Sequence, residues 1–396
     1  MYKIKSELRA WQKDAYAKWS KENRGVIQVV TGGGKTIFAE YCAAKFIESN
    51  PKVKVLILVP TITLQDQWRA SLIEDLGVHE SEINTPTGRP TGRLNRFNVV
   101  VINSARNGLP SDCVHDRIFL IVDECHRSGS KENSKALEIR AVATLGLSAT
   151  PERESDNGFL ELIAPALGPV IFSYDYKQAL NDGVICKYEL INIKAPMTDD
   201  EQKEYDSHTR KVSKIAAMVN AGIADEGRLK LALIARNRVS IGAVSRLGIA
   251  AKLALQHKGE RVIIFHENIN GADALHKALN QLSANCTIYH SCLSTSLRRS
   301  NLAEFRAGTF NILITCRALD EGMNIPETNI AIVASSTKST RQRIQRLGRV
   351  LRPHKRKAMA LIYTLYCTKH EFENLKTEEG NISDEIKVSW KEVASK

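Results

Sequence analysis

Several patterns that would fix the class of a protein are missing from this sequence. Its eight cysteines are scattered, with no CxxC pair and no spacing typical of metal ligands, so neither a disulfide framework nor a zinc site is expected. No apolar run approaches the roughly 20 residues of a membrane span, and the first residues carry no apolar segment of a secretory signal. We therefore expect a soluble, intracellular protein of the cytoplasm.

Aromatic residues are scarce as well, at 6% of the chain, and Trp11, Trp19 and Trp68 fall in helical patterns. Core packing is the expected role of these three indoles, so base stacking should add little to any nucleic-acid binding. Low-complexity tracts and short repeats are absent too. With 43% hydrophobic residues in 396 positions, the chain can build two domains or three.

Positive charge is in excess. The chain has 56 Lys and Arg against 44 Asp and Glu, a formal net charge of +12 that favours polyanionic partners such as a phosphate backbone. Taken singly, the cations of the helical pattern at 198–257 are typical of a solvated face, and as a group they would form a basic wall or wedge. They include Arg210, Lys211, Lys214, Arg228, Lys230, Arg236, Arg238 and Arg246.

Short β-branched runs alternate with helical patterns in both halves of the chain. Continuous apolar strands separated by helices are typical of parallel sheets covered on both faces, so we expect an α/β protein with two tandem domains. The predicted domains are 1–173 and 174–370, with a hinge near Tyr174 and the basic helical insertion at about 198–257 in the second. The remaining residues, 371–396, are strongly charged and are expected to form a loosely packed tail.

The segment TGGGKT, residues 31–36, follows a predicted strand and opens a helix, as a phosphate-binding loop requires. Its glycines allow successive N–H groups to turn toward phosphate oxygens. Lys35 would neutralise the β and γ phosphates of ATP, and the Thr36 hydroxyl would hold Mg²⁺. A glycine-rich turn without a nucleotide is the alternative. The nucleotide-binding residues predicted here are Thr31, Gly32, Gly33, Gly34, Lys35 and Thr36.

The segment DECH, residues 123–126, follows the apolar strand IFLIV, so Asp123 and Glu124 should project from the carboxyl end of a parallel strand. Asp123 is predicted to hold Mg²⁺ through water, and Glu124 to orient and deprotonate the water that attacks ATP. His126 would couple this pair to the segment SAT at 148–150. An acidic helix N-cap is the alternative for an isolated Asp-Glu pair, and it fits poorly behind such a strand.

The segment QRLGRVLR, residues 345–352, has a helical pattern that places Gln345, Arg349 and Arg352 near one face. Arg349 and Arg352 are candidate arginine fingers for the γ-phosphate, and Gln345 is a candidate nucleotide contact. A cationic surface helix is the alternative for this segment. Upstream, Glu321 and Gly322 would approach the ribose and phosphates.

Arg9 and Gln12 precede the phosphate loop in the segment LRAWQKDA. A glutamine amide presents both a donor and an acceptor, which matches the edge of adenine. The same spacing also fits the start of an amphipathic helix, so the residues alone leave both interpretations open.

Together these segments resemble superfamily 2 helicases and translocases, and within them the DECH-box group that includes XPB-type, RadD-type and UvsW-type enzymes. The resemblance runs from about residue 8 to 363 and includes VPTITLQDQW, NSARN, VIIFHEN and YHSCL. It implies two RecA-like domains that close on ATP, and it favours Arg9 and Gln12 as adenine contacts. Asn324 and Cys292 depart from the family pattern, where Asp and Gly are common. The backbone contacts that it implies are Pro60, Thr61, Gln67, Arg89, Asn103, Ser104 and Thr315.

The function implied by the resemblance is that of an ATP-dependent DNA helicase or translocase that remodels forked or branched duplexes in replication, recombination or repair. An RNA helicase is the first alternative, and a nucleotide-dependent clamp that does not move is an alternative of another class. A third is the motor subunit of a larger complex, although a monomer is expected. No nuclease motif is evident, so we do not expect the chain to cleave DNA.

Overall fold

The computed structural model of the chain describes residues 2–86, 88, 93–108, 116–151, 157–316, 328–335, 359–380 and 386–392. The described residues form two compact units, one up to Ile185 and the other from Cys186 onward. The predicted boundary at 173/174 stays a prediction, although Tyr174 itself ends a strand of the first unit.

A parallel sheet of seven strands forms the centre of the first unit. Its strands are β1 (Val26–Val29), β2 (Lys54–Val59), β3 (Ile83–Asn84), β4 (Phe97–Val101), β5 (Ile118–Asp123), β6 (Ala141–Ser148) and β7 (Val170–Tyr174). They lie in the order β3-β4-β2-β5-β6-β1-β7. The central strands are almost wholly buried because helices cover both faces.

Helices of the first unit precede, connect and follow these strands. They are α1 (Ala10–Trp19), α2 (Lys35–Ser49), α3 (Ile62–Glu74), α4 (Ile102–Ala105), α5 (Lys131–Ser134), α6 (Ala164–Leu167) and α7 (Tyr176–Asn181). Helical turns of 3₁₀ or π geometry cover Glu80–Glu82, Cys125–Ser128, Lys135–Leu137 and Phe159–Ile163. Aromatic rings join α1 and α2 to the sheet: Trp19 lies 5.1 Å from Phe119 and 6.2 Å from Phe46, centroid to centroid.

The second unit repeats the design with another parallel sheet of seven strands, in the order β10-β11-β9-β12-β13-β8-β14. Its strands are β8 (Tyr188–Lys194), β9 (Val262–His266), β10 (Cys286–Tyr289), β11 (Ile312–Cys316), β12 (Ile330–Val333), β13 (Ala360–Tyr366) and β14 (Lys387–Glu392). Its described helices are α8 (Asp199–Asn220), α9 (Glu226–Gly242), α10 (Val244–Gln256), α11 (Ile269–Gln281), α12 (Thr295–Ala307) and α13 (Lys369–Gly380). Two parallel sheets flanked by helices, with α8, α9 and α10 as the helical insertion, confirm the predicted fold class.

Two expectations about the second unit are wrong. Arg246 is not part of a solvated basic face but is fully buried in α10. The charged residues after 371 do not all pack loosely, because β14 pairs with β8 along its whole length and Trp390 lies 4.8 Å from the Phe372 ring, centroid to centroid. Its charged residues concealed this strand, since its backbone pairs with β8, which is distant in sequence.

Among the described residues no single helix has the length and apolar composition of a membrane span, although the bent pair α9–α10 meets both requirements when taken together.

Candidate nucleotide and nucleic-acid site

The candidate site of the first unit lies at the carboxyl edge of its sheet. The phosphate loop follows β1, the segment at 123–126 follows the last residues of β5, and Ser148 ends β6. Since β1, β5 and β6 are neighbours in the order β5-β6-β1, their carboxyl ends bring these segments together. This is the edge at which parallel α/β sheets bind ligands.

The phosphate loop is shaped by its glycines. Gly34 has a φ of 101° and caps the N-terminus of α2, so Lys35 is the first residue of that helix. A Cβ at Gly33 would lie 2.5 Å from Val29 Cγ1 and 2.9 Å from the Val30 carbonyl oxygen. Because Gly33 has no side chain, the loop can fold closely against Val29 and Val30. In this conformation the backbone N–H groups and the helix N-terminus can surround a phosphate.

Residues of α1 and its N-cap hold the phosphate loop from outside. The Arg9 guanidinium and the Trp11 indole both donate to the Gly33 carbonyl, at 2.9 and 3.2 Å. The Gln12 amide donates to the Gly34 carbonyl at 2.9 Å, and its oxygen accepts from the Arg9 backbone N–H. Arg9 and Gln12 therefore support the loop directly. Their predicted contact with adenine stays a prediction, and it would require the Gln12 amide to exchange these bonds.

Lys35 and the two acidic residues form a compact charged cluster. The Lys35 ammonium lies 3.1 Å from Glu124 Oε1. The Asp123 carboxylate accepts from the Trp68 indole through Oδ2 and from the Glu124 backbone N–H through Oδ1, both at 2.9 Å. Glu124 adopts a left-handed backbone conformation, with φ at 48°, which is uncommon for a non-glycine residue.

The environment shifts the pKa values of the Asp123 and Glu124 carboxyl groups in opposite directions. Burial, and then the adjacent charge of Glu124, raises the pKa of Asp123. Burial would also raise the pKa of Glu124, but the nearby Lys35, His126 and Arg127 together lower it. Glu124 is therefore ionised at neutral pH and able to accept a hydrogen bond from water.

The segment at 148–150 contacts the acidic cluster through His126. His126 Nδ1 lies 3.0 Å from Ser148 Oγ and 3.5 Å from Glu124 Oε2. Ser148 Oγ in turn accepts from the Thr150 backbone N–H at 3.1 Å. The hydrogen bonds that link His126, Ser148 and Thr150 agree with the coupling expected from the sequence, and Glu124 lies next to His126 at ion-pair distance.

The arrangement fits a nucleoside triphosphate with a divalent cation. The Thr31 hydroxyl is buried in the loop with no hydrogen-bond partner among the described residues, so a bound phosphate oxygen could accept its hydrogen bond. In that part of the chain, no group of three or more His, Cys, Asp or Glu side chains could hold a metal ion. A cation near Thr36 and Asp123 would therefore take most of its ligands from phosphate and water, as Mg²⁺ commonly does.

The predicted nucleic-acid residues of the first unit follow β2 and β4, beside the charged cluster. Thr61 is the N-cap of α3 and, like Pro60 and Gln67, is half-buried. Asn103 and Ser104 lie in α4, where Asn103 is exposed. These side chains share the carboxyl edge of the sheet, and their contact with a strand stays a prediction.

The other predicted site residues belong to the second unit or lie outside the described residues. Thr315 is in β11 of the second unit, fully buried, and its hydroxyl has no hydrogen-bond partner within the described ranges. Its proposed contact with nucleic acid stays a prediction. The residues Arg89, Glu321, Gly322, Gln345, Arg349 and Arg352, together with Asn324, lie outside the described residues.

Trp11 and Trp68 are the site residues that sequence reasoning missed. The prediction that they pack in the core is confirmed, since they are 3% and 1% exposed, but each also donates a hydrogen bond into the site. A signal was available for Trp68, which lies seven positions after Thr61 and hence near the same face of one helix.

Two family models match the chain. Residues 5–153 match the model described as "Type III restriction enzyme, res subunit", and residues 245–354 match "Helicase conserved C-terminal domain". One match falls within each unit of the structure.

Curated relatives align along most of the chain. It is 28% identical to "DNA 3'-5' translocase XPB2" of Sulfurisphaera tokodaii, over 91% of this chain and 82% of the relative. It is 27% identical to "Putative DNA 3'-5' helicase Rad25" of Haloarcula marismortui, over 93% of this chain and 54% of that relative. The chain thus spans about half the length of the second relative, and 59% of "DNA 3'-5' helicase XPB" of Kineococcus radiotolerans.

Solved structures agree on the fold. The Hef helicase domain of Pyrococcus furiosus matches with a TM-score of 0.58 at 18% identity, covering 93% of this chain and 98% of that one. Dbp5 of S. cerevisiae, solved with RNA and ADP BeF3, matches with a TM-score of 0.66 at 14% identity, covering 97% and 89%. At these identities the likeness establishes two tandem RecA-like domains and nothing finer.

Proposed function

The chain belongs to the superfamily 2 DNA helicases and translocases, and we propose that it is an ATP-driven motor that remodels forked or branched DNA. Membership makes it an enzyme that uses ATP. The observation that carries the proposal is the cluster at the carboxyl edge of the first sheet, where Lys35, Asp123 and Glu124 meet beside the N-terminus of α3.

Within this proposal each residue of the phosphate loop has a defined task. Backbone N–H groups of residues 32–36 bind the phosphates, and Lys35 moves its ammonium from Glu124 to the β and γ phosphate oxygens. The Thr31 hydroxyl, buried without a partner among the described residues, is placed to donate to the same anion. These contacts orient the γ-phosphate toward the acidic cluster.

Release of Lys35 frees the Glu124 carboxylate to orient a water molecule and accept its proton. Thr36 and Asp123 would hold Mg²⁺, with Asp123 acting through water. When bound, the cation supplies positive charge that offsets the charge developing on the phosphate oxygens. Asp123 keeps its orientation through the Trp68 indole and the Glu124 N–H.

The second unit contributes to the proposal through residues that the family resemblance identifies. Arg349 and Arg352 would act as arginine fingers, with Glu321, Gly322 and Gln345 as further nucleotide contacts. Strand contacts are assigned to Pro60, Thr61, Gln67, Arg89, Asn103, Ser104 and Thr315. Support for DNA as the substrate comes from the names of the curated relatives, which are DNA helicases and translocases.

The test is steady-state ATP hydrolysis by the chain at matched low salt, with no nucleic acid, single-stranded DNA, linear duplex, forked or four-way DNA, or single-stranded RNA. We expect forked or four-way DNA to stimulate turnover most. Stimulation by RNA alone would assign the chain to the RNA helicases instead.

Glu124→Gln is the control variant for this assay, because turnover at the proposed site should fall roughly 10²–10⁴-fold when the general base is removed. Absence of stimulation by every nucleic acid, with basal turnover intact in the wild type, would contradict a DNA-driven motor. It would favour a clamp or a motor subunit that needs a partner.

A further inference from the structure

Trp68 contacts the acidic cluster from a helix that the ATP chemistry does not itself require. Its side chain is 1% exposed, and the indole N–H donates to Asp123 Oδ2 at 2.9 Å. The second oxygen of Asp123 accepts from the Glu124 backbone N–H, so both oxygens of this carboxylate are held by the protein. The carboxylate plane is therefore fixed by one donor from α3 and one from the end of β5.

The same helix begins at the predicted strand contacts. β2 pairs with β5 and leads through Pro60 and Thr61 directly into α3. Thr61 is the N-cap of this 13-residue helix, and Trp68 follows seven positions later, two turns along nearly the same face. A displacement at the N-terminus of α3 would therefore move the donor of Asp123, since a helix of this length moves as one body.

The other indoles of the first unit show that this hydrogen bond is not a general feature of core tryptophans here. Trp11 donates to the Gly33 carbonyl and Trp19 to the Thr144 carbonyl, which are neutral backbone acceptors. Trp68 is the tryptophan of this unit whose described partner is a carboxylate. A hydrogen bond to a charged acceptor is stronger and more directional than one to a carbonyl.

We propose that Trp68 is a positioning residue that orients the Asp123 carboxylate for the cation and couples it to nucleic-acid binding at the start of α3. The coupling rests on the proposed function, whereas the orientation of Asp123 does not. Asp123 and Thr61 are thereby linked through one helix and one hydrogen bond.

The variant that isolates the indole N–H is Trp68→Phe, which keeps an aromatic ring in the core and removes the donor. Trp19→Phe is its matched control, because Trp19 is equally buried, lies against the same sheet and also loses a 2.9 Å indole hydrogen bond. Thermal unfolding of both variants shows whether their loss of stability is comparable.

The first measurement is the affinity for a non-hydrolysable, fluorescent ATP analogue with and without Mg²⁺, in the full chain without nucleic acid. In the wild type Mg²⁺ should tighten binding. In Trp68→Phe we expect this gain to shrink about tenfold, whereas in Trp19→Phe it should change less than about twofold. If Mg²⁺ tightens analogue binding by the same factor in Trp68→Phe and in Trp19→Phe, the positioning role is overturned.

A double-mutant cycle distinguishes action through Asp123 from a general loss of packing. If Trp68 acts through this carboxylate, Trp68→Phe should have no further effect on the Mg²⁺ gain once Asp123→Asn is present. Additive effects of the two substitutions would contradict the proposal.

The second measurement repeats the titration in Mg²⁺ with and without saturating forked DNA. We divide the analogue affinity measured with DNA by the affinity measured without it. This ratio should exceed one in the wild type and in Trp19→Phe, and should approach one in Trp68→Phe. A ratio that Trp68→Phe leaves unchanged would overturn the coupling. The proposed function and the positioning role can fail separately. If no nucleic acid changes the nucleotide affinity or the turnover of the wild type, the proposed function and the coupling are contradicted. If the Mg²⁺ gain still depends on Trp68 in that case, the positioning role is supported.

Should Trp68→Phe prove too unstable to assay, the wild-type protein offers a direct observation. The indole N–H resonance of Trp68 should shift when the analogue binds with Mg²⁺ and again when forked DNA is added, while that of Trp19 should not. A Trp68 resonance that both ligands leave in place would overturn the proposal.

Discussion

Glu40 shows, at the scale of single residues, what burial does to a carboxyl group in the helix behind the phosphate loop. It is fully buried in α2, and neither of its oxygens has a hydrogen-bond partner among the described residues. The nearby Ser71 hydroxyl donates to Asp75 Oδ2 instead, at 2.8 Å. Burial raises the pKa of Glu40 to about 8, against a smaller lowering effect of Ser71 and with a small addition from the charge of Asp75.

The free energy of unfolding should therefore depend on pH through Glu40. The native state keeps a proton that the unfolded chain releases near pH 4.5, so this residue lowers stability as the pH rises from about 5 to 8. Glu40→Gln, which cannot ionise, should flatten that dependence and stabilise the protein by about 1–3 kcal/mol at pH 8.5. Chemical denaturation at pH 5, 7 and 8.5 would measure it.

The control for this prediction is Glu48→Gln, since Glu48 lies on the same helix but pairs with Lys45 at the surface. It should leave the pH dependence of stability as it is in the wild type. A Glu40→Gln protein that differs from the wild type by the same free energy at every pH would show that Glu40 titrates normally.

Glu124 is the residue on which hydrolysis depends most in the proposed mechanism. Glu124→Gln keeps the size of the side chain but cannot accept the proton of the attacking water, so turnover should fall roughly 10²–10⁴-fold while ATP and DNA still bind. Steady-state turnover and equilibrium nucleotide binding would be compared with Glu132→Gln, an exposed residue of the following helix. Normal turnover in Glu124→Gln would remove it as the general base.

At the scale of elements, Arg246 joins four parts of the second unit. Its guanidinium donates to the carbonyl oxygens of Ser240, Ala334 and Leu365, and forms a two-pronged ion pair with Glu371 at 2.6 and 2.8 Å. The same carboxylate accepts from backbone N–H groups at the start of α13. One buried side chain of α10 thus holds the end of α9, the ends of β12 and β13, and the first turn of α13.

Removing this guanidinium should destabilise the second unit strongly. Arg246→Met leaves buried carbonyls without a donor and Glu371 without its cation, so we expect a loss of about 3–5 kcal/mol in the free energy of unfolding. Lys252→Met removes an exposed cation from the same helix and should cost less than about 0.5 kcal/mol. Urea unfolding measures both, and similar transition midpoints would contradict a structural role for the buried ion pair.

The elements that sequence patterns predicted are those with continuous apolar runs. β2, β5, β10 and β12 are such runs, because a strand buried on both faces must be apolar throughout. β7 and β14 are harder to recognise, because β7 directly follows a Gly-Pro pair and β14 contains as many polar and charged residues as a surface segment. Only pairing with β1 and β8, far away in sequence, shows them to be strands.

Some residues of the candidate site can be predicted from the sequence, and others are brought to it only by the fold. Local sequence was enough for the phosphate loop and for the acidic pair, since a strand, a loop and a helix follow one another along the chain. It could not reveal that Arg9, Trp11 and Gln12 bind the loop carbonyls, or that Trp68 binds Asp123, because those hydrogen bonds join residues from 22 to 55 positions apart. Such contacts depend on how helices pack on the sheet.

For the whole molecule, the excess of cations makes DNA affinity sensitive to salt. If the chain neutralises roughly four phosphates, its affinity for a forked duplex should fall about 100-fold between 50 and 200 mM salt, because bound counterions are released from the backbone. Fluorescence anisotropy over that range would measure the slope. Nucleotide affinity without DNA, titrated in the same buffers, controls for loss of folded protein, and a change of less than about threefold in DNA affinity would contradict backbone binding.

The position of β8 has a consequence for how the chain folds as it is synthesised. β8 opens the second sheet yet lies between β13 and β14, and its Glu189 accepts a hydrogen bond from Ser389, 200 positions later. The first sheet, by contrast, has all its strands by Tyr174. On the ribosome the first unit can therefore fold early. The two edges of β8 stay unpaired until β13 and β14, near the end of the chain, have emerged. The interval between those two events is when a nascent chain of this protein is most exposed to pairing with the wrong strand, and when a chaperone would be of most use to it.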